Sequence, residues 1–373
     1  MNIKQTLAKN YINLRGWKTN RKIVVIESDD WGSVRIANQE VVEKAIKLNA
    51  SVGKNKFLFY DGLEKQTDLE SLFEMLSGFK DHKGNHPVVT ALALTSNPNF
   101  ASMKGKGDHI EYKSESITDT YQKYGENQLF SLWKDSGIKN NLLYPQFHGK
   151  EHLFVNRYLR RINNPNDIEH FSFQHDSIFG VENTTRELNF LAAFEFHNEK
   201  EKKIIETQTE KGLESFKELF GFYSKSFCPS QSIYGEHIFP ILKSKGVLTI
   251  QAGQQFVPNN LQLTKIDNFW GNRTKENLIF TRRNCTFEPY KGSSFNHVDE
   301  CLKEIEIAFR WKKPAVINSH RVNFTSRLRT DLRDQTLIDL KRMITEILKK
   351  WPSVEFVNSA QLADIMDVSL GQN

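Results

Sequence analysis

The feature that most constrains the fold is an apolar segment that ends in two adjacent carboxylates, KIVVIESDDWG at residues 22–32. Its apolar, mostly β-branched residues 23–26 predict a short buried strand. Neighbouring carboxylates at a buried strand end repel each other, and one resists ionisation unless a cation lies beside it. Parallel α/β sheets bind their ligands just beyond the carboxyl ends of such strands. We therefore predict that Asp29 and Asp30 form half of a metal-dependent site.

Further strand-like segments alternate with amphipathic helical segments along the rest of the chain. The additional predicted strands are 86–96, 142–147, 223–230, 247–253, 277–285, 314–320 and 354–357. Helical stretches of about 10 to 20 residues separate most of them, which is typical of a parallel sheet with crossover helices. Six to eight such units in one chain favour a closed or nearly closed barrel over an open sheet.

The length of 373 residues permits two domains, but α/β barrels commonly use such a length as one. We predict a single catalytic domain over residues 1–373. Residues 1–20 predict an N-terminal helical extension with a basic, partly aromatic surface. The polar composition of 100–127 predicts an inserted excursion or lid outside the core, and the irregular stretch 163–200 predicts a second insertion.

Composition limits the partners and the compartment. The formal charge of +6 is small for this length and no nucleic-acid-binding signature accompanies it, so we predict no nucleic-acid partner. Cys228, Cys285 and Cys301 lie far apart, which is typical of a reducing compartment.

Without an apolar leader or a run of about 18 apolar residues, we predict a cytoplasmic protein with no transmembrane segment. Peripheral membrane attachment through the basic N-terminal segment is an alternative to a solvated first helix. The oligomeric state cannot be inferred from the sequence.

A second motif, HGKEH, contains two histidines four residues apart, His148 and His152. On a helical turn such residues face the same way and can bind one cation through their imidazole nitrogens. Together with Asp30 they form an Asp-His-His set that leaves a position open for water, which is the arrangement of a catalytic metal. The alternative is that the spacing arises by chance or caps a helix.

A third motif, AVINSHRVNF, places His320 at the end of another predicted buried strand. A histidine in such a position is usually structural. If the strand predictions hold, however, this one lies at the same sheet edge as the first two motifs. An imidazole there can donate a proton to a leaving group.

Four motifs in this order, ESDDWG, HGKEH, FCPSQSIYGE and INSHRVNF, resemble those of the polysaccharide deacetylases, carbohydrate esterase family 4. The resemblance spans roughly residues 22–360. It implies an α/β fold, a distorted (β/α) barrel of about seven parallel strands with outer helices and inserted loops. It also implies a hydrolase that removes an acetyl group, on nitrogen or oxygen, from an acetylated sugar or glycan precursor.

The resemblance also implies roles for individual residues. Asp29 would be the general base and His320 the general acid. Asp30, His148 and His152 would bind a divalent metal, usually Zn²⁺ in this family, whose bound water attacks the acetyl carbonyl.

The chain departs from the family in three places. In the first motif Glu27-Ser28 stand where the family has Thr-Phe, and Trp31 intervenes before the glycine. Its third motif reads Phe227-Cys228-Pro229, without the arginine that pairs with the base, and the fourth motif, an Asp and Trp arrangement, is not evident. We predict that Arg283, or else Arg282, supplies the missing cation to Asp29 from the end of a neighbouring strand.

Four residues beside the motifs are candidates to line a sugar site, with packing as the simpler alternative for each: Trp31, Tyr234, Arg321 and Asn323.

Two other functions remain open from the sequence. HGKEH also fits the H-x-x-E-H signature of metallopeptidases, in which Glu151 would be the base, although this leaves the aspartate pair unexplained. The missing third-motif arginine is also compatible with a barrel that binds sugar but has lost its activity.

Overall fold

The protein is described by a computed structural model that covers residues 3–49, 55–104, 109–180, 189–251, 254–259, 262–292 and 296–371. The strands are β1 (Lys22–Trp31), β2 (Val89–Leu94), β3 (Ser96–Pro98), β4 (Ser114–Ser116), β5 (Leu143–Gly149), β6 (Ser226–Phe227), β7 (Thr249–Gln251), β8 (Gln254–Asn259), β9 (Gln262–Asp267), β10 (Ile279–Thr281), β11 (Cys285–Thr286), β12 (Ala315–His320) and β13 (Val354–Phe356).

The helices are α1 (Ile3–Leu14), α2 (Gln39–Leu48), α3 (Lys56–Tyr60), α4 (Gln66–Ser77), α5 (Phe100–Met103), α6 (Ile117–Lys123), α7 (Leu129–Leu132), α8 (Val155–Ile162), α9 (Ile168–Gln174), α10 (Glu199–Phe220), α11 (Phe239–Ser244), α12 (His297–Arg310), α13 (Thr330–Lys350) and α14 (Ser359–Gly371). Within the described ranges, none of these helices has both the length and the apolar character that a membrane span needs.

Nine strands form one parallel sheet in the order β10-β7-β6-β5-β2-β1-β12-β11, and β13 pairs with the start of β1. The sheet curls into an incomplete barrel surrounded by helices, so the predicted distorted (β/α) barrel is confirmed. Within the described ranges the sheet has more strands than the predicted seven, and one of them is extra because the predicted strand 277–285 divides into β10 and the two-residue β11.

Strand β1 lies inside the sheet and is buried on both faces. Ile23 and Val25 pack in one apolar cluster with Trp17 and residues of α14, whereas Val24 and Ile26 belong to the large core cluster on the other face. Burial of both faces explains why the strand reads as a continuous apolar run and does not alternate with polar residues.

Both predicted insertions bury side chains in the main core, the second through Phe194 and Phe196. In 100–127, β4 pairs with β3, and α6 buries Ile117 and Tyr121 in the main core. The prediction that this segment lies outside the core is therefore wrong for these two residues. The 163–200 segment includes α9, while its residues 181–188 lie outside the described ranges. The single-domain organisation stays a prediction.

Candidate metal centre

The site is built around an irregularity at the end of β1. Asp29 pairs in register with His320 of β12, but the pairing of β1 with β2 shifts between Ser28 and Trp31. Within this shift Asp30 has a φ of 74°, in the left-handed region that L-residues rarely occupy. Bulges of this kind redirect side chains and are common beside active sites. Here two successive carboxylates reach one site, each with a different set of partners.

Asp30, His148 and His152 come together as predicted from the sequence. Each offers one ligand atom, and these atoms all lie within 4.8 Å of one another. The Oδ1 atom of Asp30 is 3.7 Å from Nε2 of His148 and 3.5 Å from Nε2 of His152. Two imidazoles and a carboxylate form a typical donor set for a divalent transition metal, and this buried group could hold one.

The local backbone structure of the HGKEH motif differs from the predicted one. His148 belongs to β5, and His152 lies in the loop before α8 begins at Val155, so the helical-turn interpretation is wrong. The pairing of β5 with β2 shifts just before Gly149, whose φ is 143°. This shift, together with the loop that follows, brings the two imidazole rings to 5.2 Å between their centroids.

The hydrogen bonding of His148 suits metal binding. Nδ1 of His148 lies 2.7 Å from the carbonyl oxygen of Cys228, which favours a proton on Nδ1 and leaves a lone pair on Nε2. Within the described ranges, Nε2 of His148, the nitrogen that lies nearest Asp30, is buried without a hydrogen-bond partner. Buried polar atoms are rarely left unsatisfied, so an unmatched nitrogen at this position fits a cation site.

The two imidazoles have opposite pKa shifts because their other neighbours differ, although Asp30 raises the pKa of both. Burial lowers the pKa of His148, but its contacts with Asp30 and Cys228 together outweigh burial and raise the pKa to about 10. For His152, burial and then Arg35 lower the pKa to about 3. A divalent cation would take the place of the proton that His148 otherwise holds.

Asp30 has a further partner that sequence reasoning missed, the buried guanidinium of Arg35. Its Nη2 lies 3.2 Å from Oδ1 of Asp30. Although burial opposes it, the charges of His152 and Arg35 keep the pKa of Asp30 well below its usual value. Arg35 begins a buried ion network in which Arg321 contacts Asp61 at 2.8 Å and Glu64 at 2.9 Å. Arg35 lies five residues after Asp30, yet nothing in the sequence marks it as a site residue.

Asp29 has its own arginine. Nη1 of Arg283 donates to Oδ2 of Asp29 at 2.7 Å, and Nη2 donates to the other carboxylate oxygen. Nε of the same guanidinium donates to Glu27 at 2.7 Å. The predicted ion pair is therefore present and is formed by Arg283, whereas Arg282 donates to the carbonyl of Asn268. Burial opposes ionisation, but Arg283 keeps the pKa of Asp29 below its usual value.

His320 lies on the open side of Asp29. Its side chain is 24% exposed, and its Nε2 is 3.7 Å from Oδ2 of Asp29. Its Nδ1 lies 2.5 Å from Oε1 of Glu288, whose other oxygen accepts a hydrogen bond from Asn323. Burial lowers the pKa of His320, but Glu288 outweighs burial and raises it to about 9. Sequence reasoning missed Glu288. Its only signal is that it lies two residues after β11, the neighbour of β12.

Asp29 and His320 therefore form an acid–base pair whose pKa values are displaced in opposite directions. At neutral pH the carboxylate is ionised and can accept a proton, while the imidazole is protonated and can donate one. Such a separation is how enzymes assign a base and an acid within one site.

The four candidate sugar-contacting residues are all fully buried. Trp31 packs against Trp133 and Phe324, and Arg321 belongs to the buried ion network. Asn323 holds Glu288 in place, and Tyr234 packs between Phe227 and Phe239. Direct sugar contact by these four stays a prediction that their burial does not support.

Glu151 does not stand where a peptidase base would. Its Oε1 accepts hydrogen bonds from Ser96 at 2.9 Å and from Lys150 at 2.5 Å. It is not among the ligand atoms that cluster within 4.8 Å of one another. Because HGKEH also lies on a strand and a loop, the helical geometry of an H-x-x-E-H metallopeptidase is missing.

Comparison with known proteins gives matches by structure alone. No protein-family description matches the chain, and no curated protein matches it significantly. A Mycobacterium smegmatis structure, provisionally described as a polysaccharide deacetylase, is 10% identical, with a TM-score of 0.46 over 95% of this chain and 93% of that one.

Two other solved structures are similar to the same degree. PuuE allantoinase is also 10% identical, with a TM-score of 0.46 and coverages of 95% and 93%. A Parabacteroides distasonis structure, provisionally described as a glycoside hydrolase/deacetylase, is 9% identical, with a TM-score of 0.48 over 95% of this chain and 73% of that one. Likenesses this weak assign no activity, so the geometry of the site must support any function.

Proposed function

We propose that this protein is a metal-dependent hydrolase that removes an acetyl group from an acetylated sugar or glycan precursor. The observation that carries the proposal is the convergence of Asp30, His148 and His152 directly beside the acid–base pair of Asp29 and His320. A metal site alone is compatible with many roles. A metal site flanked by an ionised carboxylate and a protonated imidazole is suited to hydrolysis.

Asp30, His148 and His152 would hold the divalent metal, for which Zn²⁺ suits a ligand set of two nitrogens and one oxygen. The metal would supply a Lewis acid that polarises the acyl carbonyl and lowers the pKa of water. Asp29 accepts the proton of the attacking water, and Arg283 keeps this carboxylate ionised and oriented. His320 gives its Nε2 proton to the departing nitrogen or oxygen, while Glu288 fixes the ring through Nδ1.

The sugar part of the proposal rests on the four sequence motifs. We propose a cytoplasmic precursor as the substrate, since all three cysteines are unpaired and buried, as is typical of a reducing compartment. The binding-only alternative is not favoured, because a barrel that only bound sugar would need neither the base with its arginine nor the acid with its glutamate.

The test combines metal analysis with acetate release from a panel of N-acetylated and O-acetylated sugars. We expect about one zinc per chain and acetate release from at least one sugar. The variant Glu151→Gln should retain both properties, whereas a metallopeptidase would lose its activity. A chain that binds no metal, or one that binds metal but releases no acetate from any sugar, would refute the proposal.

A further inference from the structure

Helix α1 packs against the protein with its polar side. Nζ of Lys9 lies 2.9 Å from Glu304 and donates to the carbonyl of Asn284 at 3.0 Å. Asn13 accepts a hydrogen bond from Asn284, and Asn10 accepts one from Trp311. Surface helices of globular proteins usually turn their apolar side inward, so the orientation of α1 is the reverse of the usual one.

The opposite side of α1 is apolar and faces outward, except that the hydroxyl of Tyr11 donates to Asp267 at 3.5 Å. It carries four side chains with high exposed fractions: Ile3 at 81%, Leu7 at 65%, Tyr11 at 57% and Leu14 at 45%. Their spacing of four, four and three residues places them on one stripe about 80° wide, at 3.6 residues per turn. The other large hydrophobic residues exposed on the described surface are scattered singly, as is normal, whereas a continuous stripe indicates an interaction surface.

The charge of the same segment indicates the kind of partner. Residues 1–22 contain six basic side chains and no acidic one, and they account for the whole formal charge of +6. The remaining residues carry 45 basic and 45 acidic side chains. Lys4, Arg15 and Lys18 are exposed on or just after the helix. Lys9 and Arg21 are instead paired with Glu304 and Glu355, so the exposed positive charge near the apolar stripe is that of Lys4, Arg15 and Lys18.

We propose that α1 is an interfacial helix that binds an anionic lipid surface. Its apolar stripe would enter the boundary between headgroups and acyl chains, and the basic residues would face lipid phosphates. A second copy of the chain fits less well, because two identical segments placed together would oppose their positive charges without any acidic residue in either segment. The proposal concerns a surface outside the metal centre and does not depend on the proposed activity.

The test is co-sedimentation of the full chain with vesicles of phosphatidylcholine, with and without phosphatidylglycerol. We expect binding to the anionic vesicles only, and weaker binding as salt is added, because salt screens the attraction between charges. Replacing Leu7 and Leu14 by serine should reduce binding by more than about tenfold, since each buried methylene contributes to the affinity. Lys4→Glu should also weaken binding to the anionic vesicles.

Matched controls distinguish a specific loss of vesicle binding from the general effects of substituting surface residues. Ile338→Ser removes a side chain that is 61% exposed on α13, and Lys341→Glu reverses an exposed charge on the same helix, so neither should change vesicle binding. Unchanged thermal unfolding and metal content would show that the α1 variants remain folded. The absence of vesicle binding, or equal binding to neutral and anionic vesicles, would overturn the proposal. So would a dimer in light scattering that the leucine substitutions abolish without any vesicle binding.

Discussion

Asp29 and Asp30 are neighbours in the sequence and identical in chemistry, yet the structure gives them different surroundings. Asp30 lies on the closed side of the site, between two imidazoles and the buried Arg35. Asp29 lies on the open side, between Arg283 and the partly exposed His320. A ligand that must hold an ion benefits from enclosure, whereas a group that exchanges protons with a substrate must be reached by it. The partners, more than the residue type, separate the two roles.

Both carboxylates are held ionised despite burial. The repulsion expected between adjacent aspartates is offset because each has its own arginine, Arg35 for Asp30 and Arg283 for Asp29. Each side of the site therefore has its own arginine, and each can be tested by a substitution that leaves the arginine of the other side in place.

The largest expected effect is on the closed side. Asp30→Asn keeps the shape of the side chain, and asparagine tolerates the positive φ, but the variant loses the anionic ligand. We expect the zinc content to fall from about one per chain to near zero and acetate release to be lost with it. Metal analysis after dialysis measures this, and retention of wild-type zinc would remove Asp30 from the ligand set.

The matched change on the open side should leave the metal in place. Asp29→Asn removes the base but none of the proposed ligands, so we expect normal zinc content and a loss of rate by about 10²- to 10⁴-fold, the usual contribution of a general base. Zinc analysis and acetate release are measured on the same sample. Loss of zinc from this variant would show that the two sides are not separable.

The buried ion network of Arg35, Arg321, Asp61 and Glu64 should contribute to stability. Arg321→Met removes the nearest cation from buried Asp61 and Glu64 and leaves Asp61 only the longer contact with Arg35 at 3.8 Å, which we expect to reduce the free energy of unfolding by about 3–5 kcal/mol. Arg342→Met, which breaks an exposed pair with Asp299, should cost less than about 1 kcal/mol. Denaturant unfolding measures both variants, and similar losses from the two would contradict the expectation.

This loss of stability should also depend on pH. Burial raises the pKa of Asp61 to about 6, above its usual value, and without Arg321 it should rise further. Below its pKa Asp61 is neutral and needs no cation, so the deficit should shrink towards acid pH and grow as the pH rises through the folded-state pKa. A deficit that grows towards acid pH would show the opposite linkage.

The smallest expected effect concerns the acid on the open side. Glu288 raises the pKa of His320 to about 9, so the imidazole keeps its proton below that pH and loses it above. Glu288→Gln should lower this pKa and move the alkaline limb of the pH–rate profile to lower pH. One pKa unit corresponds to about tenfold in the protonated fraction, so the rate should fall by about that factor at mildly alkaline pH and little at acid pH.

A charge-preserving control accompanies this change. Glu288→Asp keeps the carboxylate and should leave the alkaline limb closer to that of the wild type. If the limb does not move in Glu288→Gln, the proton that limits the rate does not belong to His320.

The parts of the site that follow strand ends could be predicted from the sequence. Asp29, Asp30 and His320 directly end buried strands, and parallel strands bring their ends to one edge. Arg283, two residues after β10, could be predicted as the partner of Asp29 for the same reason. The convergence of His148 with His152 was also predicted, but for a wrong local reason, because a shift in strand pairing and a loop take the place of the expected helical turn.

Other residues could not be predicted because long-range packing decides their position. Arg35 and Glu288 belong to no periodic pattern, and only the folded chain brings them to Asp30 and His320. The four candidate sugar-contacting residues were predicted on the assumption that a side chain next to a motif is exposed to the site. A side chain next to a site residue can turn into the core, as Trp31 does against Phe324. The predicted strand 277–285 is two strands, β10 and β11, because the two residues of β11 are too few to be recognised as a separate strand.

The left-handed backbone at Asp30 has a consequence for how such a chain can diverge. Only glycine, asparagine and aspartate occupy this conformation at little cost, and of these only aspartate brings a negative charge to a metal. A descendant released from selection for hydrolysis would therefore be expected to drift to glycine or asparagine here before other residues. Glycine or asparagine at position 30 would then mark a descendant that no longer supplies the anionic metal ligand.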